Sequence, residues 1–351
     1  MEIAVVCGMS NDKVRARLLP LVNIEEIERI HLIRRRPFEM QKVKSYSTPT
    51  IIRWSLVLAE IYRFFTLCYI CLKIKPNLIY GVYFVPHGIF AAVAGLVFRL
   101  PVIQEIIGTD RLKITKSKIL QKLLSTAKHI GVRGTTSLEQ LSSLGIDKGR
   151  FFISNSVNAL DFDLFKPEPI EKIYDLIYVG RMDENKQLKF IIDAAANLSQ
   201  DFPNLRIALV GDGPERAELE KQSAHLGLKN KIFFVGKQNY KDIPRYLNQS
   251  RIFVMTSAFE GLPVAMIEAI SCGLPVVVPD VGDIGDIADH GYNAWLYAEN
   301  NFCALVEGIR SILEDPSYYQ RLFEGAVETR DKFITEYSIS NAKDLWKEIL
   351  S

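Results

Sequence analysis

The chain has 351 residues, 48% apolar and 24% charged, which excludes a disordered segment or a single small module and leaves room for two globular domains. Its net charge of +2 hides an asymmetry: residues 1–150 carry 23 Lys and Arg against 11 Asp and Glu, the remainder 20 against 30. A first half at +12 suits an anionic partner, nucleic acid or an anionic membrane face, or is an excess of solvated surface charge.

Strands of the first half are read as short apolar runs at Ile3–Cys7, Ile30–Ile33, Leu78–Tyr83, Val102–Glu105, His129–Val132 and Phe151–Ser154. Helical patterns fall between them at Ile51–Ile74, Gly88–Phe98, Lys116–Thr126 and Ser137–Leu144. Glu2-Ile-Ala-Val-Val-Cys7 lacks the basic start of a signal peptide, so a cytoplasmic setting is expected. The five cysteines, Cys7, Cys68, Cys71, Cys272 and Cys303, are odd in number and scattered, which argues against a disulfide framework. Cys68 and Cys71 have half the spacing of a zinc site but sit in an apolar run with no second pair, and read as packing. Residues 78–98 carry no formal charge over 21 positions, yet Pro86-His87-Gly88 cuts them into a strand and a helix. Ile51–Ile74 contains Arg53, Glu60 and Arg63; it is either half buried or lies on a bilayer surface.

The second half repeats the alternation. Strands are expected at Asp175–Val179, Arg206–Val210, Ile232–Val235, Ile252–Met255 and Pro275–Val278, with helices at Lys189–Ser199, Glu215–Leu226, Ile243–Asn248, Pro263–Ser271 and Phe302–Leu313. Short apolar strands between longer helices mean parallel sheets covered on both faces. The expected fold is therefore α/β, with two doubly wound Rossmann-like domains facing across a cleft. Their expected bounds are 1–160 and 172–335. A linker over 161–171 carries Pro167 and Pro169, and a final helix over 336–351 packs back on the first domain. Ligands of such sheets bind at the carboxyl ends of the strands.

Three constellations fall at those ends. In Tyr178-Val-Gly180-Arg181-Met-Asp-Glu-Asn-Lys186 a strand stops at glycine, and two cations stand near a helix start, an arrangement suited to a diphosphate. Gly211-Asp-Gly213-Pro214 lacks the third glycine of a dinucleotide fingerprint and reads as a tight turn into a helix. The most specific string runs from Ser257 through Glu260-Gly261-Leu262-Pro263 and Glu268 to Gly273-Leu-Pro275. Its loop amides lie at a helix start and suit phosphate. Its two carboxylates can accept from the hydroxyls of a sugar or ribose.

The ordered string resembles the glutamate-pair motif of retaining GT-B glycosyltransferases of family 4. Val179-Gly-Arg181 to Lys186, Val210 to Pro214, Phe234-Val-Gly236 and His290-Gly-Tyr-Asn293 extend the resemblance. It implies that Arg181 and Lys186 bind the donor diphosphate, that Glu268 binds the ribose, and that Glu260 lies by the transferred sugar. Gly180, Gly261 and Leu262 would line the donor, and Val235 and Gly236 would flank the base. Asn155 to Asn158 resembles the family's asparagine-containing stretch. No metal or other cofactor is implied, so Asp161-Phe-Asp163 is not read as a metal site.

Two departures stand out. Relatives place a histidine just before Gly108-Thr109-Asp110, where this chain has Ile107; His87 is the expected catalytic substitute, or a buried structural histidine. The glycine-rich loop after the first strand is reduced to Gly8. The expected activity is retaining transfer from a nucleoside-diphosphate sugar, UDP ahead of GDP, to a lipid-linked glycan or a polysaccharide or glycolipid precursor. No nucleic-acid motif is present. The expected location is the cytoplasmic membrane face, reached through Arg34, Arg35, Arg36, Lys42, Lys44, Lys113, Lys116, Lys118 and Lys122. The alternatives are a nucleotide-sugar epimerase of the same fold and a non-catalytic nucleotide-sugar-binding subunit.

Overall fold

The computed structural model describes residues 1–154, 160–336 and 338–351. The chain forms two compact units, Met1–Ala159 with Tyr337–Ser351, and Leu160–Glu336. The asparagine stretch 155–158 lies outside the described residues.

The first unit holds a parallel sheet of β1 (Glu2–Val6), β2 (Arg29–Arg34), β3 (Val43–Ser47), β4 (Leu78–Val82), β5 (Val102–Glu105), β6 (His129–Val132) and β7 (Phe151–Ile153). Their spatial order is β3-β2-β1-β4-β5-β6-β7. Its helices are α1 (Asn11–Val22), α2 (Leu56–Lys73), α3 (Ile89–Phe98), α4 (Asp110–Thr115), α5 (Lys118–Leu124) and α6 (Thr135–Ser142). Ile3, Ala4, Val5 and Val6 are all buried, as a central strand covered on both faces requires. Ile3 pairs with Ile30 on one side and Leu78 on the other, so strand order reverses between β1 and β4.

The second unit holds β8 (Tyr174–Val179), β9 (Ile207–Val210), β10 (Ile232–Gly236), β11 (Ser250–Val254), β12 (Val276–Pro279) and β13 (Ala294–Tyr297). Their order is β10-β9-β8-β11-β12-β13, all parallel, with the reversal between β8 and β11. Around them lie α7 (Lys189–Leu198), α8 (Arg216–His225), α9 (Ile243–Asn248), α10 (Val264–Ser271), α11 (Phe302–Glu314) and α12 (Pro316–Glu336). The core between sheet and helices includes Leu176, Ile192, Leu209, Val254 and Ile309.

Helix α13 (Ile339–Leu350) belongs to the first unit. Its Trp346 packs edge-on against Tyr80 at 5.0 Å and against Phe152 at 5.9 Å between ring centroids. The stretch 161–171, expected as a linker, is instead seated on the second unit. Phe165 is fully buried, Arg330 donates to the carbonyls of Phe162 and Phe165, and the Glu168 amide donates to Asn248. The Asp161 carboxylate accepts from the amides of Asp163 and Leu164, so it closes a turn of its own chain.

Candidate functional site

Open parallel sheets bind ligands outside the carboxyl ends of their strands, where strand order reverses. In the second unit that place lies between the loops after β8 and β11, and both loops carry residues singled out from the sequence. Gly180 to Lys186 follows β8, and Met255 to Pro263 follows β11.

Hydrogen bonds fasten the two loops together. The Ala258 amide donates to the Asn185 carbonyl at 2.9 Å, and Asn185 Nδ2 donates to the Phe259 carbonyl at 2.9 Å. Thr256 Oγ1 donates to the carbonyl of Lys186 at 2.8 Å. The result is a direct ion pair, Lys186 Nζ to Glu260 Oε1 at 2.5 Å, with side chains 21% and 11% exposed. So little water lets the pair feel a low local dielectric, and an incoming anion must compete with the Glu260 carboxylate for Lys186. Asn185 and Thr256 were not singled out from the sequence. The polar run Asp183-Glu-Asn-Lys186 was the only signal for Asn185, and Thr256 had none.

Glycines shape this edge. A Cβ on Gly180 would meet the Tyr178 hydroxyl at 2.5 Å, and that hydroxyl donates to the Arg181 carbonyl at 2.8 Å. Gly211 has φ +140, and a Cβ there would meet the Gly180 carbonyl oxygen at 1.8 Å. A Cβ on Gly213 would meet the Met182 carbonyl oxygen at 2.1 Å. Gly211 and Gly213 thus do more than turn the chain after β9: they let that backbone lie against the Arg181 loop. Gly213→Ala is expected to cost about 2 kcal/mol or more, because two backbones must part. Urea unfolding of the purified variant checks this; unchanged stability would remove this reason for the glycine.

Gly282, also not anticipated, sits at φ +64 where a Cβ would meet the Glu260 carbonyl oxygen at 1.9 Å. The Asp283 amide donates to the Gly261 carbonyl. These contacts hold the Glu260 loop at the start of α10. Among the described residues, nothing accepts from the amides of Gly261, Leu262, Val264 or Ala265. Four donors at a helix start form a ready cradle for phosphate. Glu268 lies buried on the same helix. The Arg181 guanidinium is 72% exposed, 3.5 Å from Asp183, and free to swing. Gly236, at φ +80, ends β10 beside Val235, and its carbonyl accepts from the Gly211 amide.

The first unit brings Gly8 and His87 together at its own reversal point. A Cβ on Gly8 would meet the His87 ring at 2.6 Å. His87 follows β4 in a wide turn, Phe84–Gly88, and its side chain is 7% exposed. Arg63 Nη1 donates to His87 Nε2 at 2.8 Å, and Arg63 also pairs with Glu60. Burial first, then the neighbouring Arg63 charge, pushes the imidazole down to about 3. The neutral ring already uses its free lone pair on Arg63. Nearby, the Glu105 carboxylate is fully buried, with the Tyr80 hydroxyl at 2.6 Å and Arg17 and Ser154 in contact.

Several cations expected at an outer surface are engaged inward. Arg34 is buried, donating to the Met9 carbonyl at 2.9 Å beneath the Phe38 ring. Arg35 holds the Arg53 carbonyl, and Lys42 holds that of Ile24.

Residues 161–329 match the model of the glycosyl transferases group 1 family. The second unit belongs to the glycosyl transferases group 1 family. Outside that domain the likeness is carried by the fold. The chain resembles, over 100% of its length and 99% of theirs, two solved structures: Anabaena HepE in complex with UDP (TM-score 0.77, 18% identity) and sucrose-phosphate synthase from Thermosynechococcus elongatus (0.79, 17%). Its architecture is that of GT-B glycosyltransferases. Among curated relatives it is 26% identical over 169 residues to alpha-D-kanosaminyltransferase of Streptomyces kanamyceticus, covering 48% of this chain and 43% of that one. It is 24% identical over 181 residues to N-acetyl-alpha-D-glucosaminyl L-malate synthase of Bacillus anthracis, covering 51% and 46%. The chain spans less than half the length of these curated relatives. In the group 1 domain, the Lys186–Glu260 pair and the free amides before α10 form the candidate site.

Proposed function

We propose that the protein is a retaining glycosyltransferase that uses a nucleoside-diphosphate sugar, with UDP ahead of GDP, and no metal. The carrying observation is the Lys186–Glu260 pair fastened at the strand reversal, beside the open amides of Gly261 and Leu262. A departing diphosphate needs positive charge held ready for it; the amides at the helix start are fixed in place, and Lys186 and Arg181 add two cations within reach. Lys186 and Arg181 take the diphosphate, Glu268 the ribose, Glu260 a hydroxyl of the transferred sugar, and Val235 and Gly236 the base. Gly8 is assigned to the phosphates. The UDP and UDP-glucose in the HepE structures support the choice of base.

The acceptor hydroxyl belongs, in this reading, to a lipid-linked glycan or a polysaccharide or glycolipid precursor at the cytoplasmic membrane face. His87 is the candidate catalytic histidine, and it acts only if Arg63 releases Nε2. Its present engagement favours a second reading, a nucleotide-sugar-binding subunit without catalysis of its own. Thermal-shift measurements over a panel of nucleotide sugars, then transfer and donor-hydrolysis assays with membrane extract, separate the two. Stabilisation by a UDP-sugar with neither transfer nor hydrolysis selects the binding role; no stabilisation by any nucleotide sugar sinks both.

Glu268→Ala is expected to weaken nucleoside-diphosphate binding about tenfold or more, since a charged acceptor for two hydroxyls contributes roughly 1.5–3 kcal/mol. Calorimetric titration with UDP checks this, and equal affinity would reassign Glu268.

A further inference from the structure

Helix α2 has two apolar faces, and the fold uses one. Ala59, Leu67, Ile70 and Cys71 face inward onto the sheet. The opposite stripe, Val57, Leu58, Ile61, Phe65, Tyr69 and Leu72, recurs at helical spacing and is exposed along its whole length. An all-round apolar helix belongs in an interior or a membrane, and an apolar patch of this extent marks an interaction surface. Just before the helix, Ile51 and Trp54 are each 79% exposed. The Trp54 indole N–H is satisfied by the Ile51 carbonyl at 2.7 Å, so the ring can enter an apolar phase with no donor left bare. Leu96 and Val97 on α3, which packs beside α2, and Ile119 on α5, which packs beside α3, are exposed as well.

The charges around this face decide its partner. Between residues 48 and 128 the sequence has three acids, Glu60, Glu105 and Asp110. Glu60 pairs with Arg63, and Glu105 and Asp110 are buried. The exposed charges of the same stretch are basic, among them Lys73, Lys75, Arg99, Lys116, Lys118 and Lys122. The same face of a second copy would bring like charge against like charge. An anionic bilayer meets both needs: lipid headgroups for the lysines and an apolar layer for the stripe. No helix among the described residues is long and apolar enough to cross a membrane.

We infer that the first unit docks on anionic bilayers by laying α2 in the plane of the interface, with Trp54, Ile61 and Phe65 below the headgroups. This deepens the membrane part of the functional reading and does not depend on the transfer chemistry. The test uses the full chain with vesicles of phosphatidylcholine, with or without about one-third phosphatidylglycerol. Expected are flotation with the anionic vesicles only, and a blue shift of Trp54 emission on binding. The outward-facing pair Ile61→Gln and Phe65→Gln keeps charge and core, and is expected to cut the bound fraction about tenfold or more. Lys116→Glu with Lys118→Glu is expected to weaken binding most at low salt. An unchanged melting temperature shows that each variant is folded. Absence of flotation, flotation unaffected by the glutamine pair, or a dimer in light scattering that the glutamine pair splits would each overturn the inference. Flotation without sugar transfer would instead sink the functional reading, and transfer without flotation would leave that reading standing.

Discussion

Lys186→Ala is expected to lower turnover roughly a hundred- to thousandfold while the fold survives. The size follows from removing one preorganised charge at a departing diphosphate, about 3–4 kcal/mol. Survival is expected because leaving the largely buried Glu260 unpaired costs at most about 3–5 kcal/mol, less than ordinary domain stability. Glu260→Gln makes the complementary case. In the free protein Lys186 is held by the Glu260 carboxylate at 2.5 Å, and a diphosphate must compete with it. Without that carboxylate, UDP affinity is expected to stay level or rise while transfer falls. Steady-state kinetics and UDP titration of both variants check this. Near-normal turnover in Lys186→Ala would sink the assignment, and weakened UDP binding in Glu260→Gln would show the pair acting as one unit.

The second large effect concerns pH. His87 is held at about 3 in the folded chain against an ordinary 6.5. Between those values the unfolded chain binds the extra proton, so the stabilisation is complete above pH 6.5 and is lost as pH falls toward 3. At pH 5 the loss is about 2 kcal/mol. His87→Gln retains an oxygen that can accept from Arg63 and removes the titration. Urea unfolding of the first unit at pH 7.5 and pH 5 is therefore expected to show a shallower pH dependence in the variant. Equal slopes would mean that the ring is not sealed from protons. The same burial implies that no inflection near pH 6.5 in a rate profile belongs to His87.

Sequence reading was strongest for interior strands that open or close on a short apolar run. Val102–Glu105 and His129–Val132 were read to the residue. Of the four edge strands, the apolar runs β7 and β10 were read and two escaped. In Val43–Ser47 only one side is paired, and Lys44, Ser45 and Ser47 interrupt the apolar pattern. Ala294–Tyr297, one edge of the other sheet, was missed likewise. Helix α1 contains Pro20 and three basic residues, and α12 is polar along much of its 21 residues, so neither offered a clear periodicity. In the candidate site, Arg181, Lys186, Glu260 and Glu268 were legible because charged groups beside glycine and proline form an ordered string. The fastening by Asn185, Thr256 and Gly282 was not, since it depends on chain segments about 20 to 75 residues apart in sequence meeting at one sheet edge. Burial of Arg34 was illegible for the opposite reason: three successive arginines look like one solvated patch, yet Arg34 alone points into the core.

The chain leaves the first unit, builds the whole of the second, and returns to place α13 against Tyr80 and Phe152. During synthesis the second unit is therefore complete as a continuous segment before the first has all its parts. Until residues 339–350 emerge from the ribosome, the groove that takes Trp346 and Ile349 stays open to water. A fragment ending at residue 154 would carry the whole first sheet and still lack that cover, and solubility is expected only when α13 is supplied, fused or added in trans. The nascent protein thus depends on α13 to close its earliest core, and any stall before that point leaves an apolar groove for chaperones to find.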